Sequence, residues 1–309
     1  MTNRIGGGPE IWAIGGGKGG TGKSFITCNI ATSLALKGIK TVLVDADFGG
    51  PNLHSLLGVP NSDKSLTDFF TGQSGLDDLI INCGVADMGL IVGPIRSFQP
   101  DNVKYVQKIK LFNHIRKLKV DVVIIDLGSG THFNIVDTFL LADKKIVVTL
   151  PHITAMENMY SFLKNSFYRK LMRAFAENKI KHIIEKAMKD RQENELANMR
   201  QLIVYLKGVS SEVKRIVDEE LSNYRVNIIV NQARTGKDIE LGNSIRSICV
   251  KYFGFKARCV GYVEQDETIP LAINKQQPYL QIYPKSRCAG KIEKIVDNLL
   301  NDRQMRVLL

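Results

Sequence analysis

Short, continuous apolar runs recur along the chain, and most of them end in acidic, polar or glycine-rich positions. They cover residues 11–14, 40–44, 89–94, 120–126, 145–150, 226–231 and 257–262. Runs without polar alternation are typical of parallel strands that are buried on both faces. Helical patterns lie between them, at 25–36, 65–70, 76–80 and 102–119. The alternation predicts an α/β fold: a doubly wound, mostly parallel sheet flanked by helices.

The strand–helix alternation pauses between residues 157 and 224. This polar stretch has few glycines and no proline, and it predicts two or three helices. We expect it to be a basic helical insertion within a single domain that spans residues 1–309. Two interpretations stay open: a helix that packs its apolar stripe and exposes a solvated basic face, or a surface that binds a partner helix or acidic lipid. The basic positions of its first part are Lys164, Arg169, Lys170, Arg173, Lys179 and Lys181.

A glycine-rich turn follows the first apolar run and precedes a predicted helix. Gly17, Gly22, Lys23 and Ser24 match G-x-x-x-x-G-K-[ST], the phosphate-binding P-loop, in the required strand–turn–helix order. Glycines let backbone N–H groups point at the α- and β-phosphates, and the helix N-terminus adds its positive dipole end. We predict that Lys23 reaches the β- and γ-phosphates and that the Ser24 hydroxyl ligates Mg²⁺. The protein should therefore bind a nucleoside triphosphate.

Three carboxylates end predicted strands close to this turn. Asp126 ends the run at 120–126 and is the expected Walker B residue, which holds the metal through water. We predict that the following residues 127–130 move as a switch whose backbone senses the γ-phosphate. Asp45 and Asp47 follow the neighbouring strand. We predict that Asp47 orients or activates the attacking water and that Asp45 lies nearer the metal.

The composition of the chain limits the classes of partner, of metal site and of cellular compartment. The formal net charge of +11 favours anionic partners such as nucleic acid, acidic lipid or an acidic protein. The five cysteines are scattered and form no C-x-x-C pair, which argues against zinc, an iron–sulfur cluster or a disulfide framework and suits a reducing cytoplasm. We expect no signal peptide and no membrane-spanning segment.

The motifs together resemble the MinD/ParA family of P-loop ATPases. Residues 18–24, KGGTGKS, are the deviant Walker A form with an additional lysine, and the segments 42–58 and 122–130 extend the likeness. The resemblance implies one α/β domain that forms a homodimer around two ATP molecules with Mg²⁺. It also implies that Lys18 reaches the phosphates of the partner subunit, so that Lys18, Lys23 and Asp47 serve catalysis. The implied nucleotide contacts in the P-loop are Gly17, Lys18, Gly19, Gly20, Thr21, Gly22, Lys23, Ser24 and Phe25.

The resemblance continues toward the C-terminus. It implies that Asn231 contacts adenine and that residues 261–286, including Asp266, line the base pocket. Within the family, residues 52–58, 124–130 and 283–286 resemble the FlhG branch, also called FleN or YlxH, whose members restrict flagellar number or placement. For the apolar pattern in residues 291–309, two interpretations stay open: a helix docked on the core, and a membrane-binding helix.

The expected function is an ATP-dependent dimerising switch that hydrolyses ATP to ADP and phosphate and controls the placement or number of a cellular structure. The alternatives are an Mrp-like iron–sulfur carrier and an ATP-dependent biosynthetic ligase on the same scaffold. Expected partners are a second copy and an effector protein, for example a flagellar or polarity GTPase or an activator. An acidic membrane surface and non-specific DNA are further candidates. The expected location is the cytoplasm, with peripheral attachment to the inner face of the cell membrane as an option.

Overall fold

The computed structural model describes residues 7–60, 62–94, 105–189 and 198–305. Their strands form one sheet in the order β3-β4-β2-β5-β1-β6-β7-β8, and every neighbouring pair is parallel except β3 with β4. The predicted doubly wound sheet is confirmed. The antiparallel edge strand β3 was not predicted, because three half-exposed residues carry no readable pattern. The strands are β1 (Glu10–Gly15), β2 (Thr41–Ala46), β3 (Ile80–Asn82), β4 (Met88–Ile91), β5 (Val122–Leu127), β6 (Lys144–Thr149), β7 (Arg225–Ala233) and β8 (Lys256–Glu264).

Helices cover both faces of this sheet. The first half of the chain contributes α1 (Lys23–Leu36), α2 (Leu53–Leu56), α3 (Leu66–Thr71), α4 (Tyr105–Ile115) and α5 (Phe133–Leu141), with a 3-10 turn at Asp77–Leu79. The second half contributes α6 (Ile153–Glu177), α7 (Lys181–Lys189), α8 (Met199–Val209), α9 (Ser211–Asn223), α10 (Gly236–Phe253), α11 (Thr268–Asn274), α12 (Tyr279–Ile282) and α13 (Arg287–Leu300).

Each face of the sheet has its own hydrophobic core, as strand geometry requires. Alternate residues of a strand point to opposite faces, so Ile11 and Ala13 join one core, while Trp12 and Ile14 join the other. The first core packs against α4 to α10, and the second packs against α1 and α13. The buried strands carry the P-loop turn between two rigid layers.

The region predicted to hold two or three helices contains four in the described residues, α6 to α9, and the first of them begins at Ile153. The prediction was too low because polar caps, not glycine or proline, divide this stretch. Ser210 ends α8 and caps α9, since its hydroxyl accepts a hydrogen bond from the Val213 N–H at 3.2 Å. Lys179, with a φ of 60°, separates α6 from α7.

The apolar stripe of α6 is buried in the first core, which confirms that this helix packs on the domain, but its basic face is less solvated than that interpretation expected. Several of its basic side chains contact groups of the same chain. Arg169 binds Asp137 on α5 at 2.8 Å, Lys170 pairs with Glu220, and Arg173 donates to the Tyr105 hydroxyl. Much of the basic face is therefore paired internally.

The terminal helix α13 is docked on the core, as the first of its two interpretations predicted. Its side chains Ile292, Ile295, Val296 and Leu299 are buried in the core that contains α1. Residues 306–309 of that prediction lie outside the described residues. In the part of the chain that the structure describes, no helix has the length and apolar character needed to cross a membrane.

Candidate nucleotide-binding site

The candidate site lies at the carboxyl ends of the three central strands. Ile14 on β1 and Asp45 on β2 are both register partners of Asp126 on β5, so the turn after β1 and the two carboxylates meet at one edge. Residues 16–22 then connect β1 to α1. The topology thus places the predicted phosphate loop beside the predicted metal-binding carboxylates, where ligands of open α/β sheets bind.

Two glycines of the loop are required by close approaches. A Cβ on Gly17 would lie 2.0 Å from the carbonyl oxygen of Asn158, because α6 packs directly behind the loop. Gly22 has a φ of 82°, and a Cβ there would lie 2.3 Å from the Asn231 amide nitrogen. Side chains at these positions would displace the backbone N–H groups that are expected to bind phosphate.

Lys23 begins α1 and is only 7% exposed. Its ammonium group lies 3.4 Å from the Lys18 carbonyl oxygen, inside the curve of the loop. Burial lowers the pKa of Lys23, while the nearby charges of Asp126 and Asp47 act in the opposite direction. The helix N-terminus, the glycine-rich turn and this ammonium group together form a binding site suited to phosphate.

Asp126 is buried at the end of β5, and its two oxygens differ. Oδ1 accepts a hydrogen bond from the Thr27 hydroxyl at 2.8 Å, and the Ser24 side chain also hydrogen bonds to this carboxylate. Oδ2 is buried and has no hydrogen-bond partner in the described residues. Burial raises the pKa of Asp126 to about 6, although the Ser24 and Thr27 hydrogen bonds lower it.

Asp45 mainly holds the loop that follows β2. Its Oδ1 accepts from the Asp47 N–H at 3.1 Å, and its Oδ2 accepts from the Asn52 and Leu53 N–H groups at 2.9 and 3.0 Å. Burial, followed by the charge of Asp126, raises its pKa to about 7. Because three backbone donors occupy its oxygens, the predicted place of Asp45 near the metal stays a prediction.

Asp47 is the first residue of the loop after β2, and it lies against the switch segment after β5. Its Oδ1 accepts from the Gly49 N–H at 3.1 Å, and a Cβ on Gly128 would lie 2.8 Å from the same oxygen. Its charge also acts on both Lys23 and Asp126. The carboxylate is therefore close to the groups expected to hold phosphate and metal.

Lys18 differs from Lys23 because its side chain is exposed at the rim of the loop, together with Gly19 and Gly20. Across residues 7–60, 62–94, 105–189 and 198–305 it forms no ion pair. The next residue of the loop, Gly19, faces the exposed Ser129 of the switch segment, whose hydroxyl would lie 3.6 Å from a Cβ on Gly19. A cation at this rim is available to a second molecule.

The residues present fit a hydrated magnesium ion. The buried, unpartnered Oδ2 of Asp126 is an oxygen acceptor of the type that Mg²⁺ prefers, and the Ser24 hydroxyl contacts the same carboxylate. No cluster of three or more His, Cys, Asp or Glu side chains suited to a metal occurs in the described residues. A site with so few protein ligands suits magnesium, which usually keeps several waters and binds through substrate phosphates.

Asn231 ends up against the P-loop. It lies near the end of β7, is 3% exposed, and donates from Nδ2 to the Thr21 carbonyl oxygen at 2.9 Å. Its Oδ1 is buried without a hydrogen-bond partner in the described residues. Asn231 thus fixes the loop, and the adenine contact that the resemblance implies stays a prediction.

An open cleft of about 580 Å³ begins beside Asn231, at the carboxyl ends of β7 and β8. It is lined by Ala233, Arg234, Thr235, Gly236, Ile239, Glu264, Gln265, Glu267 and Arg287. Asp266 is not among these residues. Its carboxylate instead accepts from the Thr268 hydroxyl at 2.5 Å, which lowers its pKa most, and also from the Thr268 N–H at 2.8 Å and the Tyr279 hydroxyl at 3.0 Å. A base contact by Asp266 stays a prediction.

Two contributors to the site, and one contact of the predicted switch segment, were not predicted from the sequence. Thr27 lies one helical turn after Lys23, Gly128 contacts Asp47, and Asn158 lies behind Gly17. Only Thr27 offered a signal, because residues i and i+4 share a face of a helix. Gly128 and Asn158 act through contacts between distant segments.

The whole arrangement matches a known family of nucleotide-binding domains. Residues 12–279 match the family described as the CobQ/CobB/MinD/ParA nucleotide binding domain. A putative septum site-determining protein MinD from Oltmannsiellopsis viridis is 31% identical over 157 residues, which is 50% of each chain. The antiactivator FleN of Pseudomonas aeruginosa is 27% identical over 157 residues, which is 50% of this chain and 55% of FleN.

A solved structure matches over nearly the whole chain. It is the septum site-determining protein MinD from Pyrococcus horikoshii, complexed with Mg-ADP, with a TM-score of 0.62 and 20% sequence identity over 94% of this chain and 96% of that one. At this identity the match shows a common fold. The chain spans about half the length of the curated relatives it matches.

Proposed function

Because the chain belongs to the CobQ/CobB/MinD/ParA family of nucleotide-binding domains, we propose that it is an ATPase of the MinD/ParA type that works as a dimerising switch. One observation carries the proposal. A buried lysine, two strand-end carboxylates and an exposed lysine meet at one edge of the sheet, around a glycine-rich helix N-terminus. We also propose that residues 1–309 form one P-loop ATPase domain with a helical insertion at about 157–224.

ATP binding rests on the loop between β1 and α1. The backbone N–H groups of residues 17–22 and the N-terminus of α1 would bind the α- and β-phosphates, and Lys23 would neutralise the β- and γ-phosphates. Phe25 lies just inside α1, and its side chain is buried. The cleft beyond Asn231 has the size and position for the adenine base.

Hydrolysis rests on Asp47 and Asp126. Asp126 would hold magnesium through water together with the Ser24 hydroxyl, and the bound Mg²⁺ supplies charge neutralisation at the β- and γ-phosphates. Asp47 lies next to the switch residue Gly128 and would accept a proton from, or orient, the attacking water. The raised pKa of Asp126 shows that an uncompensated charge is costly there, so a nearby cation would be stabilising.

Dimerisation rests on Lys18. Its exposed ammonium group can stabilise transition-state charge only where a second molecule brings a γ-phosphate to it. A closed dimer would then be the hydrolysing state, and product release would reopen it. This coupling is what makes the protein a switch rather than a simple hydrolase.

The relatives named above are described as a putative septum site-determining protein and as an antiactivator, and we propose for this chain a role in controlling the placement or number of a cellular structure. We propose that an effector protein binds the ATP-bound dimer. An acidic membrane surface and DNA are weaker candidates for this partner. The carrier alternative finds no support, because all five cysteines are buried and unpaired.

The test compares nucleotide turnover with assembly state. The purified chain is measured for ATP hydrolysis, and its mass is measured by light scattering with Mg²⁺ and a non-hydrolysable ATP analogue. Lys23→Ala should abolish nucleotide binding, whereas Lys18→Ala should bind nucleotide as a monomer and lose dimerisation and turnover. Lys40→Ala is the matched control, since Lys40 is an exposed lysine that precedes β2 at the opposite edge of the sheet.

Two results would contradict the proposal. A chain that stays monomeric at saturating Mg²⁺ and analogue is not a nucleotide-dependent dimer. A Lys18→Ala variant that dimerises and hydrolyses like Lys40→Ala assigns no role to the rim lysine. Turnover that needs an added small carboxylate substrate would favour the ligase alternative.

A further inference from the structure

A groove with mixed apolar and basic lining lies on the insertion side of the protein, far from the phosphate loop. It runs between α8, α9 and the C-terminal half of α10 and encloses about 300 Å³. We call it the α8–α10 groove and define it by Arg200, Ile203, Val204, Lys207, Val250 and Lys251. The helix α10 has 18 residues and is about 27 Å long, and it begins at the base cleft and ends at this groove.

The apolar part of the groove is unusually open to solvent. Val204 on α8 is 64% exposed and Val250 on α10 is 53% exposed, although both line the same depression. Single exposed valines are ordinary on protein surfaces. Two that converge from different helices over a concave floor form a small apolar patch, which is typical of a binding surface.

The charged part of the groove has one sign. Among the residues that the structure describes, no acidic side chain lines it, and Lys207 is paired with Asp218 at 2.6 Å. Arg200 and Lys251 have no carboxylate partner in the described parts of the chain, and the Lys251 ammonium group lies over the Tyr252 ring at 5.6 Å. The groove therefore offers two available cations beside an apolar floor.

A second apolar groove continues the surface on the other side of α10. It is lined mainly by apolar side chains of α6 and α10, including Met156, Met159 and Ile248, and Phe253 contributes to both grooves. The C-terminal half of α10 thus borders two apolar depressions. A rod-shaped ligand fits such relief better than a flat one.

We propose that the α8–α10 groove binds an acidic amphipathic helix of a partner protein. The apolar stripe of the partner helix packs on Val204 and Val250, and carboxylates beside that stripe pair with Arg200 and Lys251. Charge complementarity selects an acidic partner, and concavity selects a helix over a bilayer, because a flat lipid surface leaves a groove unfilled. The inference goes beyond the proposed ATPase activity and does not depend on it.

The test uses a synthetic helix and the nucleotide-free, full-length chain. A fluorescein-labelled peptide of about 18 residues has leucines at i, i+3, i+4 and i+7 and glutamates beside them. We expect a dissociation constant on the order of 10 μM by anisotropy, which weakens as salt is added. A peptide of the same composition in scrambled order, without an apolar stripe, should bind at least about tenfold more weakly.

Matched variants locate the contact. Val204→Asp and Lys251→Glu should each weaken binding by about tenfold, and both side chains are exposed enough that the fold should persist by circular dichroism. Arg246→Glu makes the same charge change on α10 at an exposed residue outside both grooves, and it should change binding less than about twofold.

Three outcomes would overturn the proposal. The scrambled peptide binds as well as the amphipathic one, or the groove variants bind like Arg246→Glu. Alternatively, phosphatidylglycerol vesicles or duplex DNA bind in a way that Lys251→Glu abolishes while the peptide does not bind. That last result would assign the groove to lipid or nucleic acid.

Discussion

The contact between Gly128 and Asp47 provides a test of the site that changes a single methyl group. Gly128→Ala adds a Cβ that would lie 2.8 Å from Asp47 Oδ1 and 3.2 Å from its Cγ, both closer than an ordinary contact. The backbone of Gly128 is not in the left-handed region, so the substitution brings no dihedral strain. Its effect should therefore pass through the position of the Asp47 carboxylate.

The expected magnitude follows from the distances. An ordinary contact begins near 3.4 Å, so the carboxylate must retreat by about 0.6 Å. The hydrogen bond from the Gly49 N–H, now 3.1 Å, would be stretched past a useful length. Its loss should lower the free energy of unfolding by about 1 kcal/mol. Because a misplacement of about 1 Å can cost about 100-fold in rate, we expect ATP turnover to fall about tenfold.

The assay is a double-mutant cycle read by both stability and turnover. Urea unfolding and ATP hydrolysis are measured for wild type, Gly128→Ala, Asp47→Ala and the double variant, with nucleotide affinity as the control. Asp47→Ala removes the oxygen and carbon that the new methyl group would meet, so Gly128→Ala should then cost almost nothing. Equal destabilisation by Gly128→Ala in both backgrounds would refute the reasoning.

Three further predictions address other buried polar groups. Lys145→Met should stabilise the protein by up to about 3 kcal/mol at pH 7, because burial lowers the pKa of Lys145 from 10.5 to about 8. Between pH 8 and 10.5, Lys145 is protonated in the unfolded chain but neutral in the folded chain. The free energy of unfolding of the wild type should therefore rise with pH in this range, relative to that of the variant, which pH-dependent urea unfolding can show. Asp137→Ala should cost about 3–5 kcal/mol by the same method, since it leaves Lys108 buried without its ion-pair partner at 3.1 Å, and Lys108→Met in that background should restore part of the loss. Asn231→Ala should weaken ATP-analogue binding by about fivefold in a titration, since the Thr21 carbonyl oxygen loses its donor, whereas Asn223→Ala, at the exposed end of α9, should leave affinity unchanged.

Most of the fold was predictable from hydrophobic patterns within single segments of the sequence. The central strands are continuous apolar runs, the helix after the P-loop is marked by the motif that precedes it, and the terminal helix carries an apolar period, so each is recognisable within one segment. The edge strand β3 and the subdivision of the 153–223 region were not predictable in the same way. Three residues hold no period, and the boundary at Ser210 depends on a cap that resembles any other serine in a polar stretch.

The candidate site was predictable where motif and strand end coincide. Lys23, Ser24 and Asp126 are recognisable because the P-loop and the Walker B strand fix residue types at set positions. The contacts that hold these residues in place were not predictable, because they come from distant segments of the chain. Asn231 is 210 positions from Thr21, and only the assembled sheet brings its amide to the loop. The pairing of Asp137 with Lys108 and Arg169 likewise joins three helices that no sequence pattern connects.

The same assembled sheet explains why so many polar groups near the P-loop are incompletely satisfied. Thr21 Oγ1, Asp126 Oδ2 and Asn231 Oδ1 are buried without hydrogen-bond partners in the described residues, and all three surround the loop. An unpaired buried polar atom costs about 1–3 kcal/mol, and two neighbouring carboxylates with raised pKa values add to that cost. Folded proteins keep such groups mainly where a ligand will use them. A triphosphate offers acceptor oxygens to the Thr21 hydroxyl and the N–H groups of the loop, and its hydrated cation offers the positive charge that Asp126 needs. Nucleotide binding should therefore stabilise the fold strongly as well as begin the reaction.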